Sequence, residues 1–155
     1  MLTDGLARHL TLAQYVRRRN GVPLGHKRSL QNMLGRSLGA SSLAGFWRHW
    51  NPIWSYGLGR YILSPLQRVA PQWLALVVTF AVSGVLHDLV MMAIRKEIVL
   101  LFTPWFSIQG IAVVISSHFG WSFDTWPWPA RAAMNLAYII AGLALAFAAR
   151  LNLGF

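Results

Sequence analysis

Residues 71–94 read PQWLALVVTFAVSGVLHDLVMMAI, and only Gln72, His87 and Asp88 among them are strongly polar. About 20 residues of helix, each rising 1.5 Å, cross a hydrocarbon core roughly 30 Å thick, so this stretch predicts a transmembrane helix. An imidazole and a carboxylate in such a helix cost on the order of a few kcal/mol unless they face protein or water. A chain that carries this burden marks a functional site there.

The rest of the composition agrees. Hydrophobic residues make up 55% of the 155, charged residues 12%, and mean hydropathy is +0.45. With no cysteine, disulfides, thiolate nucleophiles and zinc–thiolate sites are excluded. The net charge of +10 would suggest nucleic acid in a soluble chain. Ten of the 14 Lys and Arg, however, precede residue 72 and flank hydrophobic stretches, as cytoplasmic-side charges of membrane proteins do. No nucleic-acid-binding motif accompanies them.

Outward from residues 71–94, the expected architecture is all-α: a polytopic membrane protein with about three transmembrane helices plus N-terminal amphipathic and interfacial helices. Residues 1–40 form a basic amphipathic and cytoplasmic segment. Leu2, Leu6, Leu10, Ala13 and Val16 recur at helical spacing. Asp4 and Arg8 come early and no uninterrupted apolar core precedes Arg17, Arg18 and Arg19, which does not read as a signal peptide. Asn20, Gly21 and Pro23 break the helix, and residues 24–39 read as a loop holding one short helix.

The membrane-embedded region runs over residues 41–155, beginning with an interfacial helix over 41–66. Ser41 or Ser42 caps it, Trp47, Trp50, Trp54, Leu58 and Tyr61 share an aromatic face, and Arg48, Asn51 and Ser55 share another. Arg48 and Arg60 would be costly at mid-bilayer, which favours a boundary or re-entrant position. Spans follow over about 71–94, 98–119, where Pro104 and Gly110 offer kinks, and 132–149. The stretch GWSFDTWPWP at 120–129 reads as a stiff loop in an interfacial aromatic belt. With the basic half inside, three crossings put the C-terminus outside.

Residues four apart stack on one helix face, so Thr79, Ser83 and His87 form a polar stripe, and Gly84 beside it leaves room for a ligand. Asp88 sits about 100° away and is not assumed to pair with His87. An imidazole kept from water suits a general base that takes a proton from a hydroxyl. It equally suits a hydrogen bond to a neighbouring helix that only aids packing. Asn51 before Pro52 matches a helix N-cap followed by proline at the first helical position. Capping uses the side-chain oxygen and leaves the amide NH2 for a substrate carbonyl, so both roles coexist.

FWRHWN at 46–51 resembles the tryptophan- and arginine-rich motif of the membrane-bound O-acyltransferases, and TFAVSGVLHD at 79–88 resembles their Ser-Gly pair followed by an intramembrane histidine. The acidic residue after that histidine and WFSIQG at 105–110 look most like the wax synthase-like branch. The resemblance implies acyl transfer from a thioester, usually acyl-CoA, to a hydroxyl acceptor such as a long-chain alcohol. No cofactor is implied, and acyl-CoA enters as co-substrate. His87 matches the catalytic histidine and Asn51 the second polar position. Ser83, Gly84, Trp47, Arg48 and Trp50 are the implied substrate-binding residues, with Arg48 and Arg60 facing CoA phosphates. For Arg17–Arg19 plain cytoplasmic-side charge is the simpler reading.

Family members usually enclose the histidine with many more helices. Three spans therefore imply the C-terminal catalytic piece of a larger protein, a subunit completed by a second copy or a partner membrane subunit, or a decayed remnant. The competing class is a non-enzymatic membrane scaffold or inactive fragment, in which His87 only packs among membrane lipids and helices. His118 and Asp124 miss the glycerolipid acyltransferase spacing by one residue, and His9, His26 and His49 make no metal-ligand pattern. There is no glycine-rich phosphate loop and no Gly-x-Ser-x-Gly elbow.

Overall fold

A computed structural model describes residues 9–153, and among these every regular element is helical. Leu2 and Leu6 of the expected N-terminal helix lie outside the described residues. Helix α1, Leu12–Asn20, opens on a capping box between Thr11 and Gln14 and closes on Gly21 at φ 78°, a left-handed backbone that glycine adopts without strain. Its buried face is Tyr15, Val16, Arg19 and Asn20, while Ala13 is exposed. Tyr15 packs on Tyr56 with ring centroids 5.5 Å apart, which turns that face toward the protein. Helix α2, Ser29–Leu38, occupies the predicted loop.

The expected helix over 41–66 is not continuous. Ser42 caps α3, Leu43–His49, and the chain then leaves helical geometry at Trp50 and Asn51 before α4, Pro52–Leu58. Pro52 is the cause: its ring disfavours a helical backbone at the preceding residue, and asparagine tolerates the left-handed conformation seen at φ 40° and ψ 71°. A π-helical stretch, Gly59–Leu63, and a single turn, α5, Ser64–Leu66, lead to the long helices.

Helix α6, Gln72–Arg95, covers the span predicted over 71–94 and ends at Lys96 in the left-handed region. Helix α7, Phe102–His118, starts later than expected, and its 17 residues span only about 26 Å at 1.5 Å each. Pro104 lies in its first turn, where a missing N–H costs nothing, so it starts the helix rather than kinking it. Gly110 does not kink it either: a Cβ there would lie 2.9 Å from Phe80 Cβ, so glycine permits close packing on α6. Helix α8, Trp128–Leu153, begins earlier than expected because Pro129 fits a first helical turn. Its base is tied to α2 by Trp128 Nε1 donating to Gly35 O and Asn135 Nδ2 donating to the Leu38 and Ala40 carbonyls.

Two helices, Gln72–Arg95 and Trp128–Asn152, are long and apolar enough to cross a membrane. Less than a third of each apolar window is covered by the rest of the protein, and Leu89, Val90, Ile94, Ile140, Leu145 and Phe147 stand exposed on them. A bare apolar helix side of this extent suits lipid rather than water. Helices α6 and α7 run antiparallel, with residue 110 beside 80 and residue 103 beside 84. Against this pair the short α3 buries Leu43, Phe46 and Trp47, whose indole meets Phe80 edge-on at 5.2 Å and Phe106 at 5.5 Å. The tryptophan-rich motif therefore packs in the core.

Candidate functional site

The polar stripe of α6 faces the break between α3 and α4, and a cavity of about 130 Å³ lies between them. Thr79, Ser83 and His87 line it from α6, Trp47 and Arg48 from α3, and Trp50 and Asn51 from the break itself. Six of the seven predicted site residues thus meet around one space. Gly84 does not. Its missing side chain would fall 2.5 Å from Thr103 Cα and 2.6 Å from Phe102 O, so the space beside it is filled by α7 backbone and leaves none for a ligand.

His87 is oriented from within its own helix. Its Nδ1 lies 2.7 Å from the Ser83 carbonyl oxygen, which only accepts, so Nδ1 carries the proton and donates. In the neutral ring the remaining nitrogen, Nε2, then holds the lone pair, and it has no hydrogen-bond partner among the described residues. Trp54 meets the imidazole edge-on at 5.3 Å, and Phe106 and Phe102 pack beside it at 5.0 and 5.7 Å. His87 also borders a second cavity, about 240 Å³ and apolar, walled by Trp54, Leu86, Val90, Met91 and Phe102. One imidazole thus stands between a chamber of mixed polar and apolar walls and an apolar one.

Asn51 is a cap, as its sequence context allowed: Oδ1 accepts from Trp54 N at 3.2 Å. Its amide NH2 has no partner among the described residues. The residue that joins Asn51 to His87 escaped the sequence reading. Trp54 receives the Asn51 cap on its main chain, its Nε1 donates to Ser83 Oγ at 2.9 Å, and its ring touches His87. Its position three residues after a capping asparagine was the available signal.

Arg19 was missed as well. It lines the first chamber at 7% exposure, whereas Arg17 and Arg18 are exposed. Its guanidinium sits over the Tyr15 ring at 5.2 Å, one helical turn back. The i, i+4 pairing of these two residues would have set Arg19 apart from its neighbours. Arg60 lies elsewhere, with Nη1 donating to Tyr56 OH. His49 braces α1 through Nδ1, 2.9 Å from Arg19 O, so Nδ1 donates. Burial pushes its pKa below the usual histidine value, and the nearby Arg36, Arg19 and Arg48 charges push the same way against that bond.

The chamber therefore combines a histidine with an open nitrogen, free amide hydrogens and two guanidinium groups. None of its lining residues among those described is acidic. The Trp47 indole N–H is buried in the wall, without a partner among the described residues. Such a set can take a proton from a hydroxyl, donate to a carbonyl oxygen and attract an anion. Comparison with protein families finds a match to the Membrane bound O-acyl transferase family over residues 30–107. The chain belongs to that family. The stretch matched to the O-acyltransferases, half of the chain, carries α3, α4, all of α6 and the first turns of α7, and with them Asn51, Trp54 and His87. Tyr15 and Arg19 reach the chamber from outside it. Comparison with curated proteins and with solved structures finds no match.

Proposed function

We propose that the protein transfers an acyl group from an acyl-CoA-type thioester to the hydroxyl of a lipid-like alcohol, with His87 as general base. What carries this reading is the Nδ1–H to Ser83 O bond, which in the neutral ring leaves Nε2 as the basic nitrogen of a histidine that lines the same chamber as Asn51. The acceptor hydroxyl gives its proton to Nε2 while its oxygen attacks the thioester carbonyl carbon. The carbonyl oxygen becomes an anion that the Asn51 amide can meet with a hydrogen bond. Collapse of that intermediate breaks the C–S bond, and the departing thiolate takes the proton back from the imidazolium. Arg48 and Arg19 favour the anionic end of the donor. The apolar second cavity and the low-water setting suit an acyl chain and limit thioester hydrolysis.

The wax synthase-like motifs favour a long-chain alcohol as acceptor. The charge asymmetry favours a multi-pass arrangement with the basic N-terminal half in the cytosol. A second reading has one observation in its favour: the bare outer sides of α6 and α8 leave room for further helices. In that reading the chain is a non-catalytic subunit of a larger acyltransferase. Membranes carrying wild type or His87→Ala, supplied with radiolabelled acyl-CoA and a series of alcohols, separate the two. Ester formed by wild type and absent from the variant is expected. Equal ester in both removes the catalytic role.

A further inference from the structure

We infer that Asp88 is a positioning residue, whose carboxylate fixes the first turn of α7 and thereby the aromatic wall that holds the His87 imidazole. Asp88 is 1% exposed and spends all its hydrogen bonds on α7. Oδ1 accepts from Leu101 N at 3.1 Å and Phe102 N at 2.8 Å, while Oδ2 accepts from Thr103 N at 2.8 Å and Thr103 Oγ1 at 2.6 Å. The next residue, Pro104, has no N–H. One carboxylate thus satisfies every main-chain donor that the start of this helix leaves open, and its charge faces the positive end of the helix dipole. An amide would offer a single oxygen and set its own NH2 against backbone donors.

The anchored turn reaches the site directly. Phe102 and Phe106 flank the imidazole, the first walling the second cavity and the second the chamber that Asn51 lines. Gly84, one turn before Asp88, lets the α7 backbone come this close. His87 takes no bond from Asp88, because its own Nδ1 is committed to Ser83 O. The acid beside the histidine therefore acts through a neighbouring helix and two phenyl rings, without relaying a proton.

The inference builds on the reading of His87 as base, and the test keeps the two separable. Full-length wild type, Asp88→Asn, Thr103→Val and Thr103→Ser are compared in detergent by peptide-resolved carbethoxylation of His87, by kcat and KM for acyl-CoA, and by thermal unfolding. Carbethoxylation reads access to the open ring nitrogen whether or not the chain is an enzyme. Expected for Asp88→Asn and Thr103→Val is His87 modification several-fold faster, with kcat about tenfold to a hundredfold lower at unchanged KM, as a misplaced catalytic group gives. Thr103→Ser keeps the hydroxyl and restores both. Should Asp88→Asn fail to fold, Thr103→Val, which retains the three main-chain bonds, decides alone. Folded variants with wild-type modification rates overturn the positioning role. So does a lower unfolding temperature with kcat per folded molecule retained. Loss of wild-type activity altogether counts against the acyltransferase reading and leaves the modification comparison to decide on Asp88.

Discussion

Replacing Asn51 separates its two jobs. Its oxygen caps α4 through Trp54 N, its backbone sits at φ 40°, and the residue lines the chamber. Asn51→Ala loses the cap, at about 1 kcal/mol, and forces a Cβ residue without local hydrogen bonding into left-handed geometry, at about 1 kcal/mol more. Asn51→Asp keeps a cap of equal quality and a residue that tolerates that geometry. Asn51→Gly keeps the geometry and gives up only a few tenths of a kcal/mol as a cap. Stability should therefore rank wild type, Asp and Gly close together with Ala about 2 kcal/mol below, measured by denaturant titration in detergent. Activity should rank otherwise. If the amide donates to the developing oxyanion, all three variants lose it, and kcat falls about 10²-fold, or roughly 2.7 kcal/mol, in each. Asp and Gly variants that are both stable and fully active would refute the catalytic half. An Ala variant as stable as Asp would refute the cap.

Trp54→Phe removes the indole N–H that binds Ser83 Oγ while keeping a ring against His87; about 1 kcal/mol of stability and several-fold in acyl transfer should go, read by thermal unfolding and ester formation. Gly84→Ala drives a methyl into the Thr103 and Phe102 main chain, so overpacking of about 1–3 kcal/mol should lower the unfolding midpoint, and Ser83→Ala beside it should cost less. His49 gives a pH signature outside the membrane-spanning segments. Its pKa is lowered on folding, so the unfolded chain binds more protons below the ordinary value of 6.5. Its contribution is complete above that pH and is lost as pH falls through the folded value. His49→Asn, which keeps a donor near Nδ1, should flatten the dependence in unfolding curves from pH 7 to 5.

The reach of the sequence is clearest on α6. A run of apolar residues long enough for lipid has one conformation that satisfies its backbone, and the i, i+4 stripe Thr79, Ser83 and His87 follows from helical geometry alone. The cap at Asn51 was equally legible, because asparagine before proline carries its own local chemistry. That same pair contradicted a continuous helix over 41–66, and the aromatic spacing across it concealed the break. What stayed hidden is tertiary. Nothing in VSGVLHD says that Gly84 faces another helix or that Asp88 caps one 13 residues onward. Arg19 looks like its two neighbours until α1 docks, and the starts of α7 and α8 depended on prolines that suit a first turn as well as a loop or a kink.

The group that fixes the tautomer of the neutral His87 ring is a main-chain carbonyl, one turn back along α6. No side-chain replacement at position 83 can delete it, so mutational scanning will pass over the contact on which the ring's chemistry turns. Only an amide-to-ester exchange in the backbone, or proline insertion that unwinds the turn, can disturb it.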